Sequence, residues 1–231
     1  MIKYNTPQEL FTAICDKIRD KTNSNELINH QDIPDKIDKL MGNDTKLFID
    51  SAIQGENTIR YSFNNTTITK ISSRIFSTTN LATVDLPKCT SIERCAFDRC
   101  TNLTTVDLPE CTSIGDSAFN RCTNLTTVNL PECTSICDKT FQNCTNLTTV
   151  NLPKCTSIKY SAFSSCTSLT TIILSNNQVV TLGNINAFNN SSISRRTGYI
   201  YVPDDLVDSY KTATNWSTYA NQIKPISELS N

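Results

Sequence analysis

A single histidine, His30, occurs in the 231 residues of this chain, and its isolation removes much of the catalytic repertoire. No Ser-His-acid arrangement can be assembled around it. A zinc site wants closely spaced cysteines with histidines nearby, yet Cys133 and Cys137 stand four apart, Cys95 and Cys100 five apart, and His30 is distant from both pairs. No metal and no cofactor are expected. The adjacent carboxylates Asp204 and Asp205 read most simply as acids favoured at a helix start, so the chain is not expected to be an enzyme. Basic runs, a glycine-rich phosphate loop and basic-aromatic interleaving are all missing, and the net charge is only -1. These absences argue against a nucleic-acid partner. No apolar run approaches the roughly 18 residues that cross a bilayer, so membrane insertion is not expected either. The opening MIKYNTPQEL lacks the apolar centre of a secretory signal, which suggests a chain made in a cytoplasm.

What the chain does have is a unit repeated every 22 residues. From Cys100 it reads CTNLTTVDLPECTSIGDSAFNR, from Cys122 CTNLTTVNLPECTSICDKTFQN, and from Cys144 CTNLTTVNLPKCTSIKYSAFSS. A copy beginning at Thr78 precedes them, and a decaying one beginning at Cys166 follows. Such a period marks a solenoid, because units that cannot bury an apolar face alone bury a continuous core when stacked. The fixed apolar set is Leu103, Val106, Leu108, Cys111, Ile114, Phe119 and Cys122, recurring as Leu125, Val128, Leu130, Cys133, Ile136, Phe141 and Cys144. Within a unit, TVDL has the alternation of a half-buried strand that Pro109 ends. Strands of successive units would pair in parallel about 4.8 Å apart. TSI would build the opposite wall, and Phe119 would fill the space between walls.

The pattern C-x-x-L-T-x-V-x-L-P-x-C-T-S-I-x-x-x-A-F-x-x-C, running from about Ile71 to Phe188, resembles the BspA-like class of bacterial leucine-rich repeats. The resemblance implies a curved solenoid and a role in adhesion or binding. It does not name a ligand.

Eight cysteines fall into two ladders at the repeat period: Cys89, Cys111, Cys133, Cys155 and Cys100, Cys122, Cys144, Cys166. Free cysteine behaves as a small buried hydrophobe, which is the simple reading. Neighbouring rungs are close enough for bridges, although parallel in-register side chains suit the required dihedral poorly.

The two ends differ from the repeats. Residues 1–45 are expected to form a small α-helical N-terminal module. Thr6-Pro7-Gln8-Glu9 is a good helix start, and Leu10, Phe11, Ile14 and Ile18 follow on one face. Asp32-Ile33-Pro34-Asp35 starts a second, shorter helix. The segment IRDKTNSNELINHQDIPDKIDKL resembles a module near the start of phage tail and other virion structural proteins, with Asn23 where glycine is usual. That resemblance implies a virion location, with other virion proteins held through the N-terminal helices. Exposed Leu10, Phe11 and Ile14 would also permit a homo-oligomer. Residues 46–188 form the repeat region, with LFIDSAI and TIRYSF as strands in its degenerate start. Residues 189–231 form a strand-helix C-terminal cap: the strand YIYVP, a helix from Pro203-Asp204-Asp205, and a cover of Trp216, Tyr219 and Ile223.

The outward strand positions are the candidate ligand-binding face: Thr105 and Asp107, Thr127 and Asn129, Thr149 and Asn151. Threonine suits any exposed strand, but the same array can hydrogen-bond a glycan or protein. Tyr160 is the one aromatic among the positions that vary between repeats. The expected function is non-enzymatic binding of a protein or glycan on a cell surface by a phage tail or surface component. The alternatives are a bacterial surface or secreted adhesin and an intracellular protein-protein scaffold.

Overall fold

The computed structural model describes residues 45–50, 60–65, 68–74, 76–77 and 81–230, the first two segments as backbone. The N-terminal helices expected around Leu10, Phe11, Ile14 and Ile18 lie outside the described residues.

Each 22-residue unit contributes one strand to each of two walls. The longer strands are β4 (Leu81–Asp85), β6 (Thr105–Asp107), β8 (Thr127–Asn129), β10 (Thr149–Asn151) and β12 (Thr171–Ile173). The Ser-Ile pairs give the shorter ones: β5 (Ser91–Ile92), β7 (Ser113–Ile114), β9 (Ser135–Ile136) and β11 (Ser157–Ile158), with β3 (Lys70–Ile71) before them and β13 (Thr181–Leu182) after. Pairing is parallel and in register with the repeat, Thr105 opposite Thr127 and Ile114 opposite Ile136. The six short strands form one unbroken sheet from β3 to β13.

Alternation explains the geometry. Val106 and Leu108 point inward and are fully buried while Thr105 and Asp107 point out. Facing them, Ile92, Ile114, Ile136 and Ile158 are buried from the short wall. Between the walls runs a file of phenylalanines, Phe76, Phe97, Phe119, Phe141, Phe163 and Phe188, with successive centroids 5.1 to 5.8 Å apart and near-parallel rings. Ring offset at that spacing is a favoured arrangement of aromatic pairs.

Both cysteine ladders are buried, and every cysteine among the described residues is free. Each buried thiol has an acceptor. Cys111 and Cys133 donate to the carbonyls of Ser113 and Ser135, both at 3.3 Å. Cys122 and Cys144 donate to the carbonyls of Phe97 and Phe119 on the preceding turn, at 3.1 and 3.2 Å. The thiol is thus a small hydrophobe whose weak donor is also satisfied by a backbone carbonyl.

Each of the four turns that follow β5, β7, β9 and β11 also holds two non-glycine residues in the left-handed region. Cys95, Ser117, Lys139 and Ser161 form one such column, and Arg99, Arg121, Asn143 and Ser165 the other, with φ between 53° and 61°. Their amides bond forward to the next turn, as Ser117 N to Asp138 O and Arg121 N to Gln142 O, each 2.8 Å. The sequence shows no glycine there to announce this backbone.

The ends depart from strict repetition. LFIDSAI and TIRYSF do contain strands, β1 (Thr45–Asp50) and β2 (Arg60–Asn65), but β1 runs antiparallel to β2, which alone joins β4 in parallel. At the other end YIYVP is strand β14 (Tyr199–Val202), and a further strand, β15 (Ile223–Pro225), follows it. Both pair in parallel and continue the long wall beyond β12. Between them the chain makes a single-turn 3-10 segment at Asp204–Leu206, helix α1 (Val207–Thr212) and a 3-10 segment at Trp216–Gln222.

That segment closes the core with aromatic rings and closes the short wall with side-chain hydrogen bonds. Trp216 and Tyr219 meet Phe188 at 6.0 and 5.2 Å and end the ring file. Trp216 Nε1 donates to Val180 O at 2.6 Å, the Val180 amide donates to Tyr210 Oη at 3.0 Å, and Asn215 Nδ2 donates to Leu182 O at 2.6 Å. The Tyr219 hydroxyl donates to Ile185 O. An otherwise open sheet edge is thereby satisfied without another strand.

Candidate functional site

Alternate side chains of the long strands, the first and third of β6, β8, β10, β12 and β14 and the third and fifth of β4, point outward and give two columns. One runs Thr83, Thr105, Thr127, with Thr149, Thr171, Tyr199 beyond. The other runs Asp85, Asp107, Asn129, with Asn151, Ile173, Tyr201 and Lys224 beyond.

Adjacent threonines have different tasks, which the repeat alone does not reveal. Thr104, Thr126 and Thr170 turn their hydroxyls onto the carbonyls of Ala82, Thr104 and Thr148, at 3.0, 3.0 and 3.5 Å. Thr112, Thr134 and Thr156 do the same on the short wall. By contrast, Thr105, Thr127, Thr149 and Thr171 have no hydroxyl partner among the described residues, and they face outward. These four can offer a donor and an acceptor to a ligand.

The second column changes character along its length. Asn129 Nδ2 donates to Asp107 Oδ1 at 2.7 Å. Asp85, one rung away from Asp107, has its carboxyl pushed up by partial burial and by the neighbouring Asp107 charge. Asn151 is exposed and has no side-chain partner among the described residues. The column is therefore acidic at one end, uncharged from Asn129 to Tyr201, and closed by Lys224, whose charge Glu228 matches.

The wall itself divides between these halves. The long strands form two sheets, β1-β2-β4-β6-β8 and β10-β12-β14-β15. Among the described residues no backbone hydrogen bond joins Thr126–Leu130 to Thr148–Leu152, where every other pair of repeats has them. Val128 is correspondingly only half-buried, whereas Val106 and Val150 are fully inside. The short wall stays bonded across the same two repeats, through Thr156 N to Thr134 O at 2.8 Å. Lys154 adds an ion pair with Glu132 at 2.6 Å.

Of the residues singled out from sequence, Thr105, Asp107, Thr127 and Asn129 thus lie on one sheet and Thr149 and Asn151 on the other. Tyr160 stands apart from both, in the turn that follows β11. It is 43% exposed, its amide bonds Asp138 Oδ1 at 3.1 Å, and Lys139 Nζ sits 6.0 Å above its ring.

The repeat already puts Ile173 in the outward column, but sequence reading passed over Tyr199, Tyr201 and Lys224, because they lie beyond the clean repeats and only strand register brings them onto this face. Gly198 enables that register. A Cβ there would lie 2.8 Å from Leu169 O and 3.0 Å from Thr170 Cα, so only glycine lets the chain enter β14 against β12. Gly115 permits a similar approach to the backbone of Glu93 and Arg94.

Asp204 also has a structural task, accepting from the Ser227 amide at 3.2 Å, and the Ser227 hydroxyl and then its amide hold the carboxyl below the usual carboxylate range. Among the described residues no group of three or more His, Cys, Asp or Glu side chains could hold a metal ion. None of the described helices is long and apolar enough to cross a membrane.

Two walls of short parallel strands, few helices and a 22-residue period define a leucine-rich-repeat protein. The model of the BspA type leucine rich repeat region matches residues 69–195 in six copies, and the chain belongs to that family. No curated protein matches it. Similar solved structures include a leucine-rich repeat protein from Eubacterium ventriosum, 22% identical, with 60% of this chain and 44% of that one covered and a TM-score of 0.47. A T. pallidum leucine rich repeat protein is 24% identical, with 69% and 68% covered and a TM-score of 0.46. A leucine rich cell surface protein from Faecalibacterium prausnitzii is 24% identical, with 69% and 53% covered and a TM-score of 0.42. The chain spans less than half the length of the first of these and about half of the third.

Proposed function

We propose that this protein is a non-enzymatic binding protein that presents its long wall to a protein or glycan on a cell surface. The observation that carries this reading is the outward row Thr105, Thr127, Thr149 and Thr171, whose hydroxyls are unengaged among the described residues while Thr104, Thr126 and Thr170 beside them bond the backbone. Such a column of hydroxyls, open at each rung beside a column of carboxylates and amides, offers donors and acceptors in a regular array.

The finer reading is a phage virion component, a tail or surface protein held by its N-terminal helices. It rests on the resemblance of residues 18–40 to virion modules. Binding of the purified full chain to intact bacterial cells tests the broader reading: saturable binding is expected, and its absence at micromolar concentration would remove the adhesion role. Co-sedimentation with virions, lost on deletion of residues 1–42, is the expected result for the finer one. Association with the host envelope instead would make the protein a bacterial surface adhesin, and association with neither would favour an intracellular scaffold.

A further inference from the structure

The sheet β10-β12-β14-β15 carries a surface unlike the rest of the long wall. On it, Thr149, Asn151 and Thr171 adjoin Ile173, Tyr199 and Tyr201 in strict strand register. Tyr199 is 39% exposed, and the two tyrosine rings meet edge to face at 6.4 Å. Neither tyrosine hydroxyl has a hydrogen-bond partner among the described residues. Lys224 Nζ lies 5.8 Å from the Tyr199 ring centroid and pairs with Glu228 at 2.8 Å, so the ring is held while the lysine's charge is matched.

We infer that this face is a binding site for a neutral glycan, an inference that rests on the proposed recognition role of the long wall. A pyranose ring presents a flat C–H face and a rim of hydroxyls. The tyrosine pair offers apolar area at low entropic cost with a polar tip on each ring. The hydroxyls and amide of Thr149, Thr171 and Asn151 stand within a few rungs of those rings and can both donate and accept. Charge selects among sugars. Among the described residues the ion pair at the edge of the face, Lys224 with Glu228, is internally neutral, and the carboxylates Asp85 and Asp107 lie on the other sheet. The six outward side chains of the face, Thr149, Asn151, Thr171, Ile173, Tyr199 and Tyr201, carry no charge to offset desolvation of an acidic sugar or a basic peptide. The gap between β8 and β10 marks where the platform ends.

The test applies the full chain to an array of neutral and acidic oligosaccharides, and in parallel to bacterial cells treated with periodate or with protease. Retention on neutral oligosaccharides and loss of cell binding after periodate are expected. The Tyr199→Ala/Tyr201→Ala double variant should bind roughly 30-fold more weakly, the ordinary effect of removing an interface hot spot. Thr149→Val/Thr171→Val removes hydroxyls at constant shape and should also weaken binding. Unchanged melting of both variants shows that the losses are local, and Lys88→Ala, at an exposed position outside the outward columns of the long wall, should bind as the parent does. Equal binding by a folded tyrosine double variant, preference for acidic sugars, or no array binding overturns the inference. Cell binding that resists periodate and is lost after protease overturns it while leaving the adhesion role standing; no cell binding by the parent chain removes both.

Discussion

Each repeat position has one physical task, and substitutions should sort by that task. Ile114 is fully buried in the short wall, whereas Thr105 faces out with a free hydroxyl. Ile114→Ala should cost about 2 to 5 kcal/mol through the cavity it leaves, and Thr105→Ala about 0.5 kcal/mol or less. Denaturant melts of the two variants check the difference. The thiols make a second case. Burial pushes Cys111, Cys133 and Cys166 up to about 12, and Cys89 and Cys155 to about 11, with Cys122 and Cys144 well above the ordinary value. As pH rises past about 8.5, the unfolded chain loses these protons first, so the folded state binds more protons and stability must fall. Each thiol contributes a slope of up to about 1.4 kcal/mol per pH unit until its own folded value is reached. Melting temperature should therefore drop steeply between pH 9 and pH 11, and the same cysteines should resist a thiol reagent at pH 8 until the chain is unfolded.

At the level of the element, what can be read from the sequence is what one repeat dictates. The two walls, their parallel pairing, the Phe file and the strand YIYVP follow from alternation and period. The left-handed residues do not, because arginine, lysine, serine and asparagine occupy sites where glycine would have signalled the backbone. The Arg121 conformation, with φ 60°, costs an L-residue roughly 1 to 2 kcal/mol. Arg121→Gly should recover about 0.5 kcal/mol after its own entropic cost, while the β-branched Arg121→Val should be destabilising, and thermal melts of the pair will show opposite signs. The division of the long wall was equally hidden: Thr126–Leu130 and Thr148–Leu152 repeat the same residues, yet only their neighbours on either side are bonded. The tyrosines of the candidate site were hidden for another reason. Residues 174–198 depart from the period, so nothing local says that Tyr199 will stand opposite Thr171.

Across the whole molecule, contacts run mainly between consecutive turns, which makes stability a sum over neighbours. Excision of residues 122–143 joins Arg121 to Cys144 in the same phase of the repeat. The shortened chain should fold with the same strand content by circular dichroism. Removal of residues 203–231 should behave differently, since it strips Val180, Leu182 and Ile185 of their hydrogen-bond partners and bares Phe188. That chain should aggregate, a result that size-exclusion chromatography reads directly.

The closing segment holds Val180, Leu182 and Ile185 by their backbone atoms and Phe188 by its ring. Nothing in that grip counts how many turns lie behind it. Gain or loss of whole units by unequal recombination would leave the closure intact and move the terminal tyrosines outward or inward by about 4.8 Å per unit. The gene therefore encodes an adjustable ruler, whose length can evolve without redesign of what it carries at its tip.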